Sequence, residues 1–490
     1  MGVAHDCGQS IPLDASLARS RLPGLGPEQR SFRVKKKALI ALVGLAVVSA
    51  LTACSSPGGS GGSTPAATDK PQSQADKPSN CDNKILYPSA TRVSLWGWSP
   101  TLPVAVDAFD KAHKDVQICW TNAGAGSAEY QKFSTAIAAG KGAPDVIMLE
   151  TDHLNSFLIK DALVNLSDYG ADKWKSDFSA GTLKDISSNG GIYAIPDDGG
   201  PVALMYRKDI FDQYGLTVPK TWAEYAADAD KLKSAGGPAI GDWPNDTPAF
   251  AQAMFAQAGA DTFDYNINQK TSLGVDIDNA ASRKVLDYWD GLVQKGEVVT
   301  TGQSSTDFVS ELSSGKLATF IAASWEPGHL TGAGFTRGPG SPWRVAMLPQ
   351  WNADSPVQVN WGGSTYAVTT QSKVPHAASE VAMELFGHEN QQTLGAHFPQ
   401  HVKVQKASWF VNAEDPFFGG QKANKEVWIP TADAYKGQSY SPFQDYYYQQ
   451  VTAMLTKTTS GAESSKAGLS KLQSTIASYA KAQGFTVKTK

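Results

Sequence analysis

DVIMLE, residues 145–150, is a short, nearly uninterrupted apolar run of the kind buried on both faces in a parallel sheet. Two neighbours upstream give it a setting. RVSLWGW at 92–98 and VQICWTN at 116–122 read as strands, and Pro103 to His113, with Val104, Ala108 and Ala112 apolar, reads as the helix between them. Ser127 to Ala139 is helical in period and ends at Gly140, so the segment entering 145–150 is a crossover helix. Strand, helix and strand in alternation predict an α/β layer architecture.

Downstream the mixture continues, with strands expected near 202–206, 318–322 and 344–348 and helices over most of the remainder. Thr221 and Glu224 form a capping box that predicts a helix from there to Ala235. No internal repeat is found. The 490 residues are 41% hydrophobic, 18% charged and rich in Trp, which has 13 copies, so extended disorder across the whole is excluded. Formal charge is −4 and no Lys/Arg block lies beyond the N-terminal stretch, which speaks against nucleic acid as a partner.

Arg33, Lys35, Lys36 and Lys37 precede an uncharged run, 38–51 (ALIALVGLAVVSAL), too short to span a bilayer and flanked as a secretory signal is. Leu51-Thr52-Ala53-Cys54 resembles the bacterial lipobox, which implies lipidation of Cys54 and a mature chain held on the outer face of the cytoplasmic membrane. Residues 1–53 are thus an N-terminal extension plus signal, and Val34, ahead of three lysines, is a candidate for the true start. Residues 54–80, dominated by Ser, Gly, Pro and Thr, read as a disordered tether. Beyond residue 53 the chain has 36 basic against 44 acidic residues, a net of −8. Cys81 and Cys119 then remain as one pair in an oxidising compartment; a disulfide is the preferred reading and two separate buried thiols the alternative.

Four segments carry a family resemblance. Gly142-Ala143-Pro144-Asp145 with its strand, followed by Asp152 and His153, is the first. The second runs from Ile192-Tyr193-Ala194-Ile195-Pro196 through Met205-Tyr206-Arg207-Lys208-Asp209-Ile210-Phe211 to Pro219-Lys220-Thr221-Trp222-Ala223-Glu224. The others are Ser314-Gly315-Lys316-Leu317-Ala318 with Trp325, and Gly362-Gly363-Ser364-Thr365-Tyr366. As an ordered set they resemble bacterial extracellular solute-binding proteins, family 1, of the sugar-binding type, with Arg207 standing where an Asn is usual. The resemblance implies a two-lobed, type II periplasmic-binding-protein-like (Venus flytrap) fold, with ligand held between the lobes and delivered to the permease subunits of an ABC importer. It implies lobes of 85–199 with 350–398 and of 202–349 with 400–490, and Gly199-Gly200-Pro201 suits a hinge because Gly absorbs backbone rotation.

Sugar recognition needs flat apolar faces for the C–H side of a ring and carboxylates or amides for its hydroxyls. Trp98, Trp243, Trp325 and Trp361, each at a strand end or in a Gly/Pro loop, are candidates for the first role, with core packing the alternative. Asp152 and His153, at the end of the third strand, are candidates for the second, as are Asp198 beside the hinge, Asn122 after the second strand, and the loop at Gly363. Turn capping is the alternative for Asp197 and Asp198, and a helix-start surface position for His153. The expected ligand is a neutral sugar or oligosaccharide. With five Arg after the signal (Arg92, Arg207, Arg283, Arg337, Arg344), none in these segments, an anion needing bidentate clamps is disfavoured. A rival reading is a secreted carbohydrate-active hydrolase or lyase using Asp152 with Asp198 or Glu326; another is the same fold carrying a non-sugar solute. No spacing selects such a carboxylate pair, no cofactor motif is present, and no Cys/His cluster offers a metal site.

Overall fold

The computed structural model describes residues 80–387, 389, 393–394 and 398–489. The signal segment, Cys54 and residues 55–79 lie outside them.

The first sheet grows from β1 (Thr91–Trp96), α1 (Leu102–Ala112), β2 (Val116–Thr121), α2 (Ser127–Ala138), β3 (Val146–Glu150) and β4 (Ile195–Pro196). β1 pairs in parallel with β2 from Thr91↔Val116 to Trp96↔Thr121, and with β3 at Leu95↔Val146. The run 145–150 is apolar throughout because it serves two cores. Val146 and Met148 join Val93, Leu95 and Phe109 on one face, while Ile147 and Leu149 join Phe133 and Phe157 on the other.

The second sheet centres on β5 (Val202–Arg207), flanked after α3 (Trp222–Ser234) and α4 (Ala280–Gln294) by β6 (Thr319–Ala323) and, beyond α5 (Glu326–Gly332), by β7 (Trp343–Met347), both antiparallel to it. Val202 and Leu204 face one core, Ala203 and Met205 another. The capping box at Thr221 and Glu224 opens α3 as expected. The sheet continues through bonds from Thr319 to Ile240 and from Ile240 to Glu297, and through Gly241–Asp242 paired with Val298–Val299.

The chain then returns. β8 (Ser364–Val368) inserts antiparallel between β3 and β4, completing the order β2-β1-β3-β8-β4, and α6 (Pro375–Gly387) covers that sheet. α7 (Gln444–Thr459) and α8 (Ser465–Ala482) close the second sheet's core with Tyr447, Val451, Leu472 and Ile476. Among the described residues no helix is long and apolar enough to cross a membrane.

Between the sheets the backbone is tied to itself. Val202 N donates to Val359 O (3.1 Å), Trp361 N to Gly200 O (2.8 Å) and Gly199 N to Phe398 O (2.9 Å). Gly200 also answers a demand for space. A Cβ on Gly200 would lie 1.9 Å from the backbone oxygen of Trp361, so only Gly permits this approach, whereas one on Gly199 would meet the movable end of the Gln400 side chain.

At the N-terminal end, Cys81 and Cys119 form a disulfide with Cα atoms 5.0 Å apart. The segment behind it lies along β2, whose Trp120 O accepts from Asp82 N (2.8 Å) and whose Gln117 side chain accepts from Leu86 N (2.9 Å). An exposed edge strand is covered in this way.

Candidate functional site

Trp325 lies in the two-residue turn between β6 and α5. Ser324 fixes it there, donating from N to Pro201 O (3.1 Å) and from Oγ to Gly199 O (3.1 Å). Trp361 sits on the opposing crossover, and its carbonyl accepts the Trp325 indole N–H at 3.1 Å. The rings meet nearly at right angles, centroids 5.2 Å apart and planes at 73°, and Phe250 backs Trp361 at 5.7 Å. Both indoles remain half-buried, bordering a cavity of about 330 Å³ lined also by Thr247, Gln303, Ser304, Glu326 and His329. That volume is in the range of small-ligand sites, roughly 300–1,000 Å³.

Burial pushes the Glu326 carboxyl up to about 8, and Asp242 adds repulsion. Asp242 is itself buried and held at about 7, although Gln303 Nε2 donates to its Oδ2 at 2.7 Å. Its Oδ1 has no hydrogen-bond partner. A carboxyl in this state accepts or donates to a hydroxyl according to pH.

The end of β3 is arranged differently. Tyr130 OH donates to Glu150 (3.3 Å), whose carboxyl is raised to about 7 by burial and by nearby Asp152. His153 Nδ1 lies 2.5 Å from Asp152 Oδ1, and its Nε2 lies 3.1 Å from Asp445 Oδ1 on α7. Tyr448 OH donates to Asp152 Oδ2 at 2.6 Å. Burial alone would lower the His153 pKa, but the two carboxylates outweigh it and raise it to about 10, while pairing with His153 holds Asp445 low against its own burial. Glu150, Asp152 and His153 bring their ligand atoms within 4.8 Å of one another, but both His153 nitrogens are engaged with carboxylates.

A smaller space beside the crossovers is bordered by Thr151, Asp198, Asn360, Gly363 and Gln400 and measures about 20 Å³. It holds about one water, not a sugar ring.

The sequence profile of bacterial extracellular solute-binding proteins matches residues 97–392, more than half of the chain. The chain is a bacterial extracellular solute-binding protein. Among characterised relatives of this solute-binding protein is a lactose-binding protein of Rhizobium radiobacter, 23% identical over 372 residues, covering 70% of this chain and 82% of the other. Among solved structures, the ABC transporter associated binding protein of B. animalis subsp. lactis, in complex with β-1,6-galactobiose, is 27% identical with a TM-score of 0.70, over 81% of this chain and 100% of that one. The lacto-N-biose complex of a Bifidobacterium longum ABC-transporter binding protein gives 24% identity and a TM-score of 0.71, covering 81% and 99%. The solute-binding protein shares their two-lobed α/β fold.

Of the residues singled out from the sequence, Trp325 and Trp361 meet at the cavity. Trp98 is half-buried and edge-on to Tyr130 at 5.7 Å, in a line that continues through His153 to Tyr448. Asp152 and His153 are buried in the network just described, and Asp198 Oδ1 accepts from Ser364 N at 2.7 Å. Gly363 has φ +110°, and a Cβ there would lie 3.1 Å from Asp198 O, so its place in the loop is conformational. Asn122 is exposed at the end of β2, its side chain accepting from Gly124 N. Trp243 is different again. It has no exposed surface and stacks on Trp289 at 5.1 Å and 5°, so it packs the second core and presents no face to a ligand. Sequence reasoning missed Asp242, Gln303, Asp445 and Tyr448. The Tyr-rich opening of α7 was the one local signal for the last.

Proposed function

We propose that this protein is the extracellular substrate-binding lipoprotein of an ABC importer, capturing a sugar or oligosaccharide beside Trp325 and Trp361 and delivering it to the membrane permease. One observation carries this: two orthogonal half-buried indoles border a cavity of about 330 Å³ that also presents amide, hydroxyl and carboxyl groups. Indole faces take the C–H surface of a pyranose, and the polar groups take its hydroxyls. The sugars in the names of the lactose-binding relative and the galactobiose complex support the same class. In this reading the lobes are 85–199 with 350–398 and 202–349 with 400–490, Cys54 carries the lipid, and contacts to both lobes favour closure because only differential contact shifts such an equilibrium.

Calorimetric titration of the purified protein with mono- and oligosaccharides tests the proposal. A saccharide that binds, is recovered unchanged after long incubation, and loses affinity on Trp325→Ala is the expected result. Turnover that vanishes in Asp152→Asn would make the protein a hydrolase or lyase instead. For the anchor, mass spectrometry of the membrane fraction should find lipid on Cys54, and Cys54→Ser should release the protein or leave its precursor uncleaved.

A further inference from the structure

The cavity beside the Trp pair is acidic. Glu326 lines it, Asp242 lies behind Gln303, and Asp242 feels the charges of Asp246 and Glu311. Among the described lining residues there is no Lys or Arg, and the basic side chain present, His329, is exposed with Nδ1 3.7 Å from Glu326 Oε2. The lysines of the neighbourhood of Asp445, Lys160 and Lys270, line a separate groove of about 720 Å³. Asp242 is 2% exposed with Oδ1 unpartnered, so its carboxyl keeps capacity for a further hydrogen bond behind Gln303. Indole faces together with a carboxyl whose basic neighbour is an exposed imidazole, not a Lys or Arg, are a combination that suits an ammonium group.

We propose that the sugar ring bound against Trp325 carries a protonated amine, held by the Glu326 carboxylate with Asp242 behind it. The inference rests on the sugar-binding reading and narrows it from a neutral sugar to an amino sugar. Glu326, which burial keeps largely protonated near pH 7, gives up its proton to solvent when the ammonium arrives, so the complex contains carboxylate and ammonium and one proton is released for each sugar bound. An anionic sugar would find no Lys or Arg among the described lining residues to pair with.

The test is a calorimetric comparison of matched sugars in hydroxyl, free-amine and N-acetyl form: glucose, galactose and mannose, and their β-1,4- and β-1,6-linked disaccharides. A free-amine sugar should bind at least tenfold more tightly than its hydroxyl and N-acetyl counterparts at pH 7. Titrations in buffers of different ionisation enthalpy should show proton release approaching one per sugar. Glu326→Gln should bring the amine and hydroxyl forms to within about twofold and abolish proton release, and Asp242→Asn should reduce the preference in part; far-ultraviolet circular dichroism shows that both variants remain folded. Equal or tighter binding of the hydroxyl form, or a preference that survives Glu326→Gln, overturns the amine inference while leaving the sugar reading in place. No binding by any of these sugars overturns both.

Discussion

Asp152 with His153, at the end of β3, and Glu326, just after β6, with Asp242, are two acidic groupings with opposite fates. At the end of β3 every principal hydrogen-bonding position has a protein partner: Tyr448 and His153 on Asp152, Asp445 on the far side of the imidazole. At the cavity Asp242 keeps an orphan oxygen, and Glu326 has His329 only at 3.7 Å. A buried carboxyl supplied by its own chain holds two elements together, since β3 belongs to the first sheet and α7 packs on the second sheet's core. One left unsupplied beside a cavity keeps hydrogen-bonding capacity that the proposed ligand would use. The same contrast runs through the tryptophans, with Trp243 sandwiched in a core and Trp325 left with a face to offer.

Trp243→Ala and Trp325→Ala are the strongest way to separate these roles. The first removes a fully buried ring and should cost about 3–5 kcal/mol of stability, read from denaturant unfolding. The second should weaken sugar binding by about 2 kcal/mol or more while unfolding stays cooperative, the behaviour of an aromatic anchor. Similar losses of stability in both would erase the distinction drawn here.

Glu129 sharpens the comparison on the first sheet's side, because both its oxygens are buried without hydrogen-bond partners and burial pushes its carboxyl up to about 9. In the unfolded chain it loses its proton above about 4.5, so its contribution to stability falls as pH rises from there to about 9. Glu129→Gln should therefore gain on the order of 1 kcal/mol over the parent at pH 8 and little at pH 4, measured by thermal unfolding across that range.

The smallest effect belongs to the Asp445 contact. Its side chain is 43% exposed, so Asp445→Asn should cost at most about 1 kcal/mol at neutral pH. The folded pKa of His153 is raised and that of Asp445 lowered, so the pair's contribution is complete between about 3.8 and 6.5, is lost on acidification as Asp445 protonates, and disappears as pH passes about 10; the two proteins should converge in stability above that point. A difference that persists there would mean that packing, not charge, joins α7 to His153.

How far the sequence could be read follows from range. The run 145–150 announced its double burial because every second side chain served one core and the rest the other, a property local to six residues. Trp325 was legible because a strand end and a proline-containing turn frame it. Trp243 was not, since its partner Trp289 is a face of α4 that no short motif connects to it. Asp152 and His153 looked free to meet a sugar because Asp445 and Tyr448 lie 292 and 296 residues away from their partners. The glycines at 199 and 200 were legible as a place suited to rotation, but the close approach of Trp361 O to Gly200 was not, because it comes from a segment 161 residues on. Charge state was hidden for the same reason, as Glu326 and Asp242 owe theirs to burial that only the assembled sheet creates.

The disulfide at Cys119 has a mechanical consequence. It joins the N-terminal segment to the middle of β2, an edge strand paired along six residues with β1. A pull exerted on the chain ahead of Cys81 is therefore delivered through that bond into a strand loaded along its length, where all six pairs resist together. The crossovers at 199–202 and 359–361 lie outside that load path, so a tug on the N-terminal end does not bear on the backbone bonds that tie them together.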